Sequence, residues 1–293
     1  MRIGIVYDLY KDEAQKSAMK AVEYLKGKVE QVSVYPEEIF LKLDNEIIKT
    51  LTEIITFGGD GLVLHVANKV APFGIGLLRI NYGDVGFLTN VESGEVFREL
   101  DYLLAGKYKK LERVRMQGSV KKNVTINDGT KEISKGNVHV KFDALNELVI
   151  GGIRKTVYLR LIVDGKESFE VLTKGDGVMF ASEAGSTGYN LSARGPVLHT
   201  DTVFTVTASH GMFNYKPPTP NSKLVNESSF VVEIGSKIAV QVTRPWKENM
   251  PYLIGDAASE IKLAEGDIVI VERSPQSTIF LEREREENKW KIL

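Results

Sequence analysis

The sequence predicts an α/β fold in two parts: an N-terminal part with a mostly parallel sheet, followed by a mainly antiparallel β part. Up to about residue 110, short apolar and β-branched runs alternate with segments of helical period, the rhythm that builds a parallel sheet. Beyond Gly106-Lys107-Tyr108-Lys109-Lys110 the helical period largely disappears and turn signals recur. In chain order, strands are expected at residues 3–7, 31–35, 53–57 and 74–80, and helices at about 12–26, 61–70 and 94–104. The turn signals are Asn127-Asp128-Gly129, Gly151-Gly152, Asp164-Gly165 and Gly175-Asp176-Gly177. Alternating segments such as 157–163 and 231–242 lie among them, as hairpins require. Strands at 267–272 and 278–281 precede Glu282-Arg283-Glu284-Arg285-Glu286-Glu287, a mixed-charge run that reads as a solvated terminus.

At 293 residues the chain suits two domains of ordinary size or one large one. Hydrophobic residues at 43% and charged residues at 26% are globular values. A formal net charge of −1 leaves no electrostatic footprint for nucleic acid or an anionic membrane, so neither is expected as a partner. The absence of cysteine excludes disulfides, thiolate metal sites and thiol nucleophiles together, and is compatible with a reducing cytoplasm. The N-terminus turns acidic at Asp8, too early for a signal peptide, and no uninterrupted apolar run approaches ~18 residues. A soluble cytoplasmic protein is the expectation.

The most informative stretch is Ile54-Ile55-Thr56-Phe57-Gly58-Gly59-Asp60-Gly61-Leu62-Val63-Leu64-His65, which reads as strand, tight loop, helix. Glycines at such a junction let backbone approach a phosphate, and the helix start offers free N–H groups and a positive dipole end. A carboxylate beside phosphates is repulsive unless it binds a metal ion or takes a proton from an attacking hydroxyl, so Asp60 points to phosphoryl transfer. The plainer alternative is an ordinary Gly-rich turn with Asp60 as a helix N-cap.

Three other constellations bear on chemistry. Asn146-Glu147, at the start of an expected strand, could bind ribose hydroxyls or a base edge, although on its own the pair reads as an exposed polar strand entrance. Lys174-Gly175-Asp176-Gly177 joins one strand to the apolar segment 178–180 and serves equally well as a plain turn. The run Ser182-Glu183-Ala184-Gly185-Ser186-Thr187-Gly188-Tyr189-Asn190-Leu191-Ser192-Ala193-Arg194-Gly195-Pro196 concentrates small residues and hydroxyls around one ring. Such a loop can follow a nucleotide closely, with Tyr189 free to stack or hydrogen-bond.

Other templates fail. No Gly-x-Ser-x-Gly frame surrounds Ser186, and there is no Gly-x4-Gly-Lys-Ser/Thr or Gly-x-Gly-x-x-Gly loop. His65, His139, His199 and His210 lack His-Glu-x-x-His spacing, which argues against zinc, and no carboxylate cluster is found that would hold a metal by itself. His65, about one turn past the glycine loop, could face a ligand.

With these residues assembled, the chain resembles the NAD kinase family over nearly its whole length. Gly58-Gly59-Asp60-Gly61 is similar to the family's Gly-Gly-Asp-Gly loop, and Asn81-Tyr82-Gly83-Asp84-Val85-Gly86-Phe87-Leu88-Thr89 to its motif ending in Gly-Phe-Leu. Asn146-Glu147 matches the Asn-Glu pair; Asp176-Gly177, then Gly185-Ser186-Thr187-Gly188-Tyr189 and Ser192, match the long glycine and threonine motif in order and spacing. Lipid kinases and 6-phosphofructokinases share the glycine loop; the Asn-Glu pair with the Gly-Ser-Thr-x-Tyr loop separates them from this family.

The resemblance implies an NAD-kinase-like fold. Its α/β domain would cover residues 1–108, with the segment from about 275 to 293 packed back on it, and its β-rich NAD-binding and oligomerisation domain would cover 109–274. It implies phosphorylation of the adenosine ribose 2′-hydroxyl of NAD by ATP or polyphosphate, giving NADP, in a homodimer or homotetramer, with Mg²⁺ arriving with the nucleotide. Carried over by position, Asp60 would be the base, and Gly58, Gly59 and Gly61 would hold donor phosphates. Asn146 and Glu147 would bind the ribose and adenine edge. Asp176, Thr187, Tyr189 and Ser192 would line the rest of the dinucleotide site, with Phe87, His65, Lys174, Ala184 and Gly188 as further members. Departures from the family pattern stand at Leu62 (usually Thr), Glu183 (usually Pro), Gly188 (usually Ala), Asn221 (usually His) and around Asp256-Ala257-Ala258, where a usual Gly and Gln are missing. Two rival readings are a kinase of the same superfamily acting on a sugar phosphate or lipid hydroxyl, and a module that senses NAD or NADP without turnover.

Overall fold

The computed structural model describes the chain except for residues 85, 128–131, 153–155, 165–168, 216–224, 245–250, 257–259 and 284–293. The expected turn residues Asp128, Gly129 and Gly165, the departures at Asn221, Ala257 and Ala258, and the charge run from Glu284 lie outside the described residues. Two compact units emerge: Met1–Arg113 together with the chain from Gln276, and Val114–Pro275.

The first stretch runs β1 (Arg2–Tyr7), α1 (Asp12–Leu25), β2 (Gln31–Pro36), α2 (Glu37–Lys42), α3 (Asn45–Ile48), β3 (Glu53–Gly58), α4 (Asp60–Val70), β4 (Gly76–Asn81), β5 (Val91–Glu92) and α5 (Val96–Leu104). There follow β6 (Tyr108–Asn127), β7 (Glu132–Ala144), β8 (Glu147–Gly151), β9 (Val157–Asp164), β10 (Phe169–Gly175), β11 (Gly177–Ala181) and the short α6 (Tyr189–Ser192). The chain closes with β12 (Val203–Ser209), β13 (Met212–Tyr215), β14 (Val225–Glu227), β15 (Ser229–Glu233), β16 (Lys237–Arg244), β17 (Tyr252–Ile254), β18 (Glu260–Lys262) and β19 (Ile268–Arg283). Among the described residues no helix is long and apolar enough to cross a membrane.

In the first unit β2, β1, β3 and β4 pair in parallel, and the far end of β19 adds to β4 at Ile279↔Gly76 and Phe280↔Leu77. Parallel strands are buried on both faces, and β3 is apolar accordingly: Ile55 and Phe57 join Ile3, Ile5, Leu78 and Ile80 under α1 and α5. Ala14, Ala18, Ala21 and Leu25 form the buried stripe of α1, while α4 buries Leu62, Val63, Val66, Ala67 and Val70.

The second unit stacks two antiparallel sheets. One runs β14-β13-β10-β9-β16 with the near end of β19 on β16; the other runs β15-β12-β11-β8-β17-β18. Leu159, Leu161, Val171, Ile238 and Val240 from the first meet Leu148, Ile150, Val178, Phe180, Phe204 and Val206 from the second in one core.

Several elements differ from expectation. The helices α2 and α3 are too short to display a 3.6-residue period; Asp44 caps α3 by accepting from Glu46 N at 2.8 Å. The strand β6 opens with Lys109, Lys110, Glu112 and Arg113, residue types that strands disfavour, so composition hides it. Segment 231–242 is two strands of different sheets, because a turn at Ile234-Gly235-Ser236, closed by Ser236 N on Glu233 O at 2.9 Å, redirects the chain. The two closing strands are one, β19.

Glu282 and Arg283 overturn the reading of a solvated terminus at its first two residues. Arg79, only 3% exposed on β4, pairs with Glu282 and stacks its guanidinium 3.7 Å from the centre of the Phe280 ring. Arg283 pairs with buried Glu99 at 2.8 Å. Burial of Arg79 disfavours its charged form and the Glu282 carboxylate counters that. Glu282→Ala therefore strands a buried cation and is expected to lower stability by about 3 kcal/mol. A urea-unfolding midpoint equal to that of the parent would return Glu282 to the solvated reading.

Candidate functional site

The glycine loop sits where β3 gives way to α4. Gly59, with φ −95° and ψ −172°, is the N-cap and carries no side-chain acceptor; Asp60 is the first helical residue. Asp60 is therefore not the cap. Its carboxylate instead takes the backbone N–H of Phe87 at 3.0 Å on Oδ2 and that of Leu88 at 2.9 Å on Oδ1, leaving further lone pairs on both oxygens. The loop is closely packed on one side. A Cβ on Gly58 would stand 2.5 Å from Leu62 Cδ2, and one on Gly83 would stand 3.0 Å from Gly59 Cα. Tyr82 N donates to Gly58 O at 2.9 Å, and Lys11 Nζ donates to Tyr82 O at 2.7 Å. A Cβ on Gly61 would meet nothing, so the first turn of α4 is open on that side. His65 is engaged by Glu37 through Nδ1, and Phe87 is 60% exposed beside the carboxylate it holds.

The second unit brings Asn146-Glu147 onto a turn whose backbone is already committed. Asp256, 6% exposed, accepts from the N–H groups of Leu145, Asn146 (3.0 Å) and Glu147 (3.1 Å). Ser182 N donates to Asn146 O at 3.0 Å, and Ser182 Oγ to Leu145 O at 2.5 Å. Burial pushes the Asp256 carboxyl above its usual value, and the backbone donors together with buried Arg115 act against that shift. Against the expectation of an exposed entrance, Asn146 Oδ1 and Glu147 Oε2 are covered, and neither has a hydrogen-bond partner among the described residues. Native structures seldom leave such atoms unpaired, and hydroxyl or amine donors of a ligand would complete them. Burial first, then the Asp256 charge, push Glu147 up to about 7.

Gly185 ties the long loop to that turn: a Cβ there would stand 2.2 Å from Asn146 O. Ser186 and Asn190 are fully buried and hold the loop's shape. Ser186 Oγ donates to Glu183 O at 2.8 Å and accepts from Leu198 N at 3.0 Å. Asn190 donates to Ser186 O and Pro196 O and accepts from Thr205 and Thr207. Ala184 and Thr187 are half-buried and Gly188 is exposed. Tyr189 and Ser192 line a cavity of about 960 Å³ with Arg194, Ser209, His210, Met212 and Glu227. Arg194 (φ +65°) and His210 (φ +47°) hold the left-handed conformation that bulky residues rarely take, and both face this cavity. His210 Nδ1 lies 3.2 Å from Asp176 Oδ2. Lys174 is exposed, its ammonium 5.6 Å from the centre of the Tyr158 ring.

The residues singled out by sequence thus fall into two sets. Gly58, Gly59, Asp60, Gly61 and Phe87 meet in the first unit, with His65 engaged elsewhere; Asn146, Glu147 and the 182–198 loop meet in the second, with Asp176 reached through His210. Sequence reasoning passed over Lys11 and the positioning role of Asp256. The 109 to 111 residues that separate Asp256 from its partners leave no local signature.

A profile of the ATP-NAD kinase N-terminal domain matches residues 11–108. The chain is 30% identical over 290 residues to the NAD kinase of Thermoanaerobacter sp. (strain X514), covering 94% of this chain and 92% of that one. It is 26% identical over 301 residues to the bifunctional NADP phosphatase/NAD kinase of Methanococcus maripaludis, covering 99% of this chain but 48% of that relative, about half its length. The crystal structure of yeast NADH kinase complexed with NADH superposes with a TM-score of 0.71 at 17% identity, covering 99% of this chain and 85% of the other, a likeness of fold.

Because the folded Glu147 binds its proton up to about pH 7 and the unfolded residue only to about 4.5, folding takes up a proton between these values. Its contribution to stability is present below about 4.5 and lost as the pH rises to about 7. Glu147→Gln should therefore stabilise the protein more at pH 8 than at pH 5 in urea unfolding. An equal effect at both values would mean that Glu147 titrates as an ordinary carboxylate.

Proposed function

Because the chain belongs to the NAD kinase family, we propose that it transfers the terminal phosphoryl group of ATP, or of polyphosphate, to the 2′-hydroxyl of the adenosine ribose of NAD, giving NADP. The observation that carries this reading is Asp60: a carboxylate at the mouth of a glycine loop, oriented by two backbone N–H groups and retaining lone pairs for an incoming proton. A ribose hydroxyl is a poor nucleophile. Asp60 takes its proton as the oxygen attacks the terminal phosphorus and the bond to the bridging oxygen breaks, releasing ADP when ATP is the donor. The free N–H groups of the first turn of α4 receive donor phosphate oxygens, which the open side of Gly61 admits.

Asn146 Oδ1 and Glu147 Oε2 supply the acceptors that ribose hydroxyls and the adenine amine require. Tyr189 and Ser192 bind the rest of the dinucleotide from the cavity they line. In this reading Mg²⁺ arrives with the donor as part of the substrate. When bound it neutralises phosphate charge.

Purified protein supplied with NAD and MgATP, or with NAD and polyphosphate, is expected to form NADP, read by a dehydrogenase specific for NADP. Asp60→Asn should lower kcat about 10²- to 10⁴-fold while the dissociation constant for NAD stays within a factor of about two. NAD binding without turnover by the parent protein on either donor would sink the reading.

A further inference from the structure

The glycine loop carries a fixed cation that the roles above do not use. Lys11, at the N-cap of α1, is half-buried, and its Nζ lies 3.6 Å from the point a Cβ on Gly59 would occupy. The side chain leaves a backbone that is itself pinned: Lys11 N donates to Asp8 O at 3.2 Å and Asp8 N to Phe57 O at 3.0 Å. Nζ spends one proton on Tyr82 O at 2.7 Å. An ammonium has three, so two remain for an incoming acceptor. Asp60 in the loop and Asp8 and Asp84 on its sequence flanks are acidic, and the buried Arg79 whose charge reaches Asp60 is already paired with Glu282. A cation at the loop therefore offsets the repulsion these carboxylates exert on the phosphates its backbone is shaped to receive.

We propose that Lys11 binds an anionic oxygen of the phosphoryl donor at the Gly59 turn, contacting substrate and offsetting the repulsion between Asp60 and the donor phosphates. This rests on the kinase reading for the identity of the donor. Gly59 is part of the arrangement. Its φ of −95° suits any residue, and a Cβ there would sit at ordinary contact distance, 3.5 Å from Gly83 Cα and 3.6 Å from Lys11 Nζ. A methyl group is therefore tolerated by the fold but covers the ammonium.

The test is calorimetric titration of the whole chain with MgATP and, separately, with inorganic tripolyphosphate, both without NAD. Lys11→Met should weaken both ligands about 10- to 100-fold, the usual range for one contact to a charged group. Lys11→Arg should recover most of the loss, and adenosine, which has no phosphate, should bind parent and variants alike. The KM for ATP should rise with the KM for NAD unchanged, a split that a merely structural lysine would not give. Should Lys11→Met fail to fold, Gly59→Ala keeps the lysine and is expected to weaken both phosphate ligands to a similar extent. Parent-like affinity for ATP and tripolyphosphate in a folded variant overturns the proposal. If the parent binds ATP but makes no NADP, the kinase reading falls while the Lys11 comparison still stands; if the parent binds neither ligand, both fall.

Discussion

Asp256 accepts hydrogen bonds from three consecutive backbone N–H groups, those of Leu145, Asn146 and Glu147, and much of the second unit follows from that commitment. Hydrogen bonds to a charged acceptor contribute about 1.5–3 kcal/mol each, enough to offset much of the cost of burying the carboxylate, with Arg115 supplying the countercharge. Because the main chain of the turn is satisfied from below, its side chains need not turn back to serve it. Asn146 and Glu147 can therefore keep covered acceptor atoms unpaired, which a turn held by its own side chains could not do. The same device operates in the first unit, where Asp60 holds the backbone of Phe87 and Leu88. There the anchoring group and the group proposed to meet the substrate are one carboxylate. In the second unit they are separate residues, and the anchor is the more deeply buried.

Close backbone approach is the second constraint. Gly185 lies on the Asn146 carbonyl, and Gly195 lies where a Cβ would be 2.0 Å from Asn190 Oδ1. Gly177 presses on Ile150 O and Gly151, so the ends of β8 and β11 meet with no side chain between them. Asn190 fills the space that Gly195 leaves, its amide paired within the loop and its carbonyl accepting from Thr205 and Thr207 of β12. The polar residues of this loop therefore divide by depth. Ser186 and Asn190 build the loop, while Tyr189 and Ser192 lie at its surface, the Ser192 hydroxyl donating to Tyr189 O at 2.7 Å and keeping its acceptor lone pairs toward the cavity.

The parts of this fold written in local periodicity were legible. The runs at β1 and β3 are continuous because both faces are covered, and Ala14, Ala18, Ala21 and Leu25 repeat at helical spacing. The glycine loop was legible because its chemistry is contiguous. Asp256 was not, because nothing around it marks a residue that will cap a turn more than a hundred positions earlier in the chain. Glu282 misled for a related reason: alternating charge normally means solvent, and its buried partner Arg79 lies 203 residues away. Asn146-Glu147 looked like a polar strand entrance because residue type predicts exposure only when no distant group covers the site.

The departures from the family pattern can be weighed by where they lie. Leu62 stands where a hydroxyl is usual, yet its side chain is 4% exposed and folds onto Gly58. It has joined the core beside α4, and the first turn of that helix keeps its backbone N–H groups for an anion. Gly188 is exposed at the N-cap of α6, where a methyl more or less alters little packing. Glu183 is half-buried, and its carbonyl accepts from Ser186, a role any residue can fill. The one chemical group lost at the glycine loop is thus the hydroxyl at position 62. Backbone N–H groups and the ammonium of Lys11 remain there, so in the proposed role of this loop charge neutralisation would fall to main chain and lysine, groups that residue-by-residue comparison of side-chain hydroxyls would pass over.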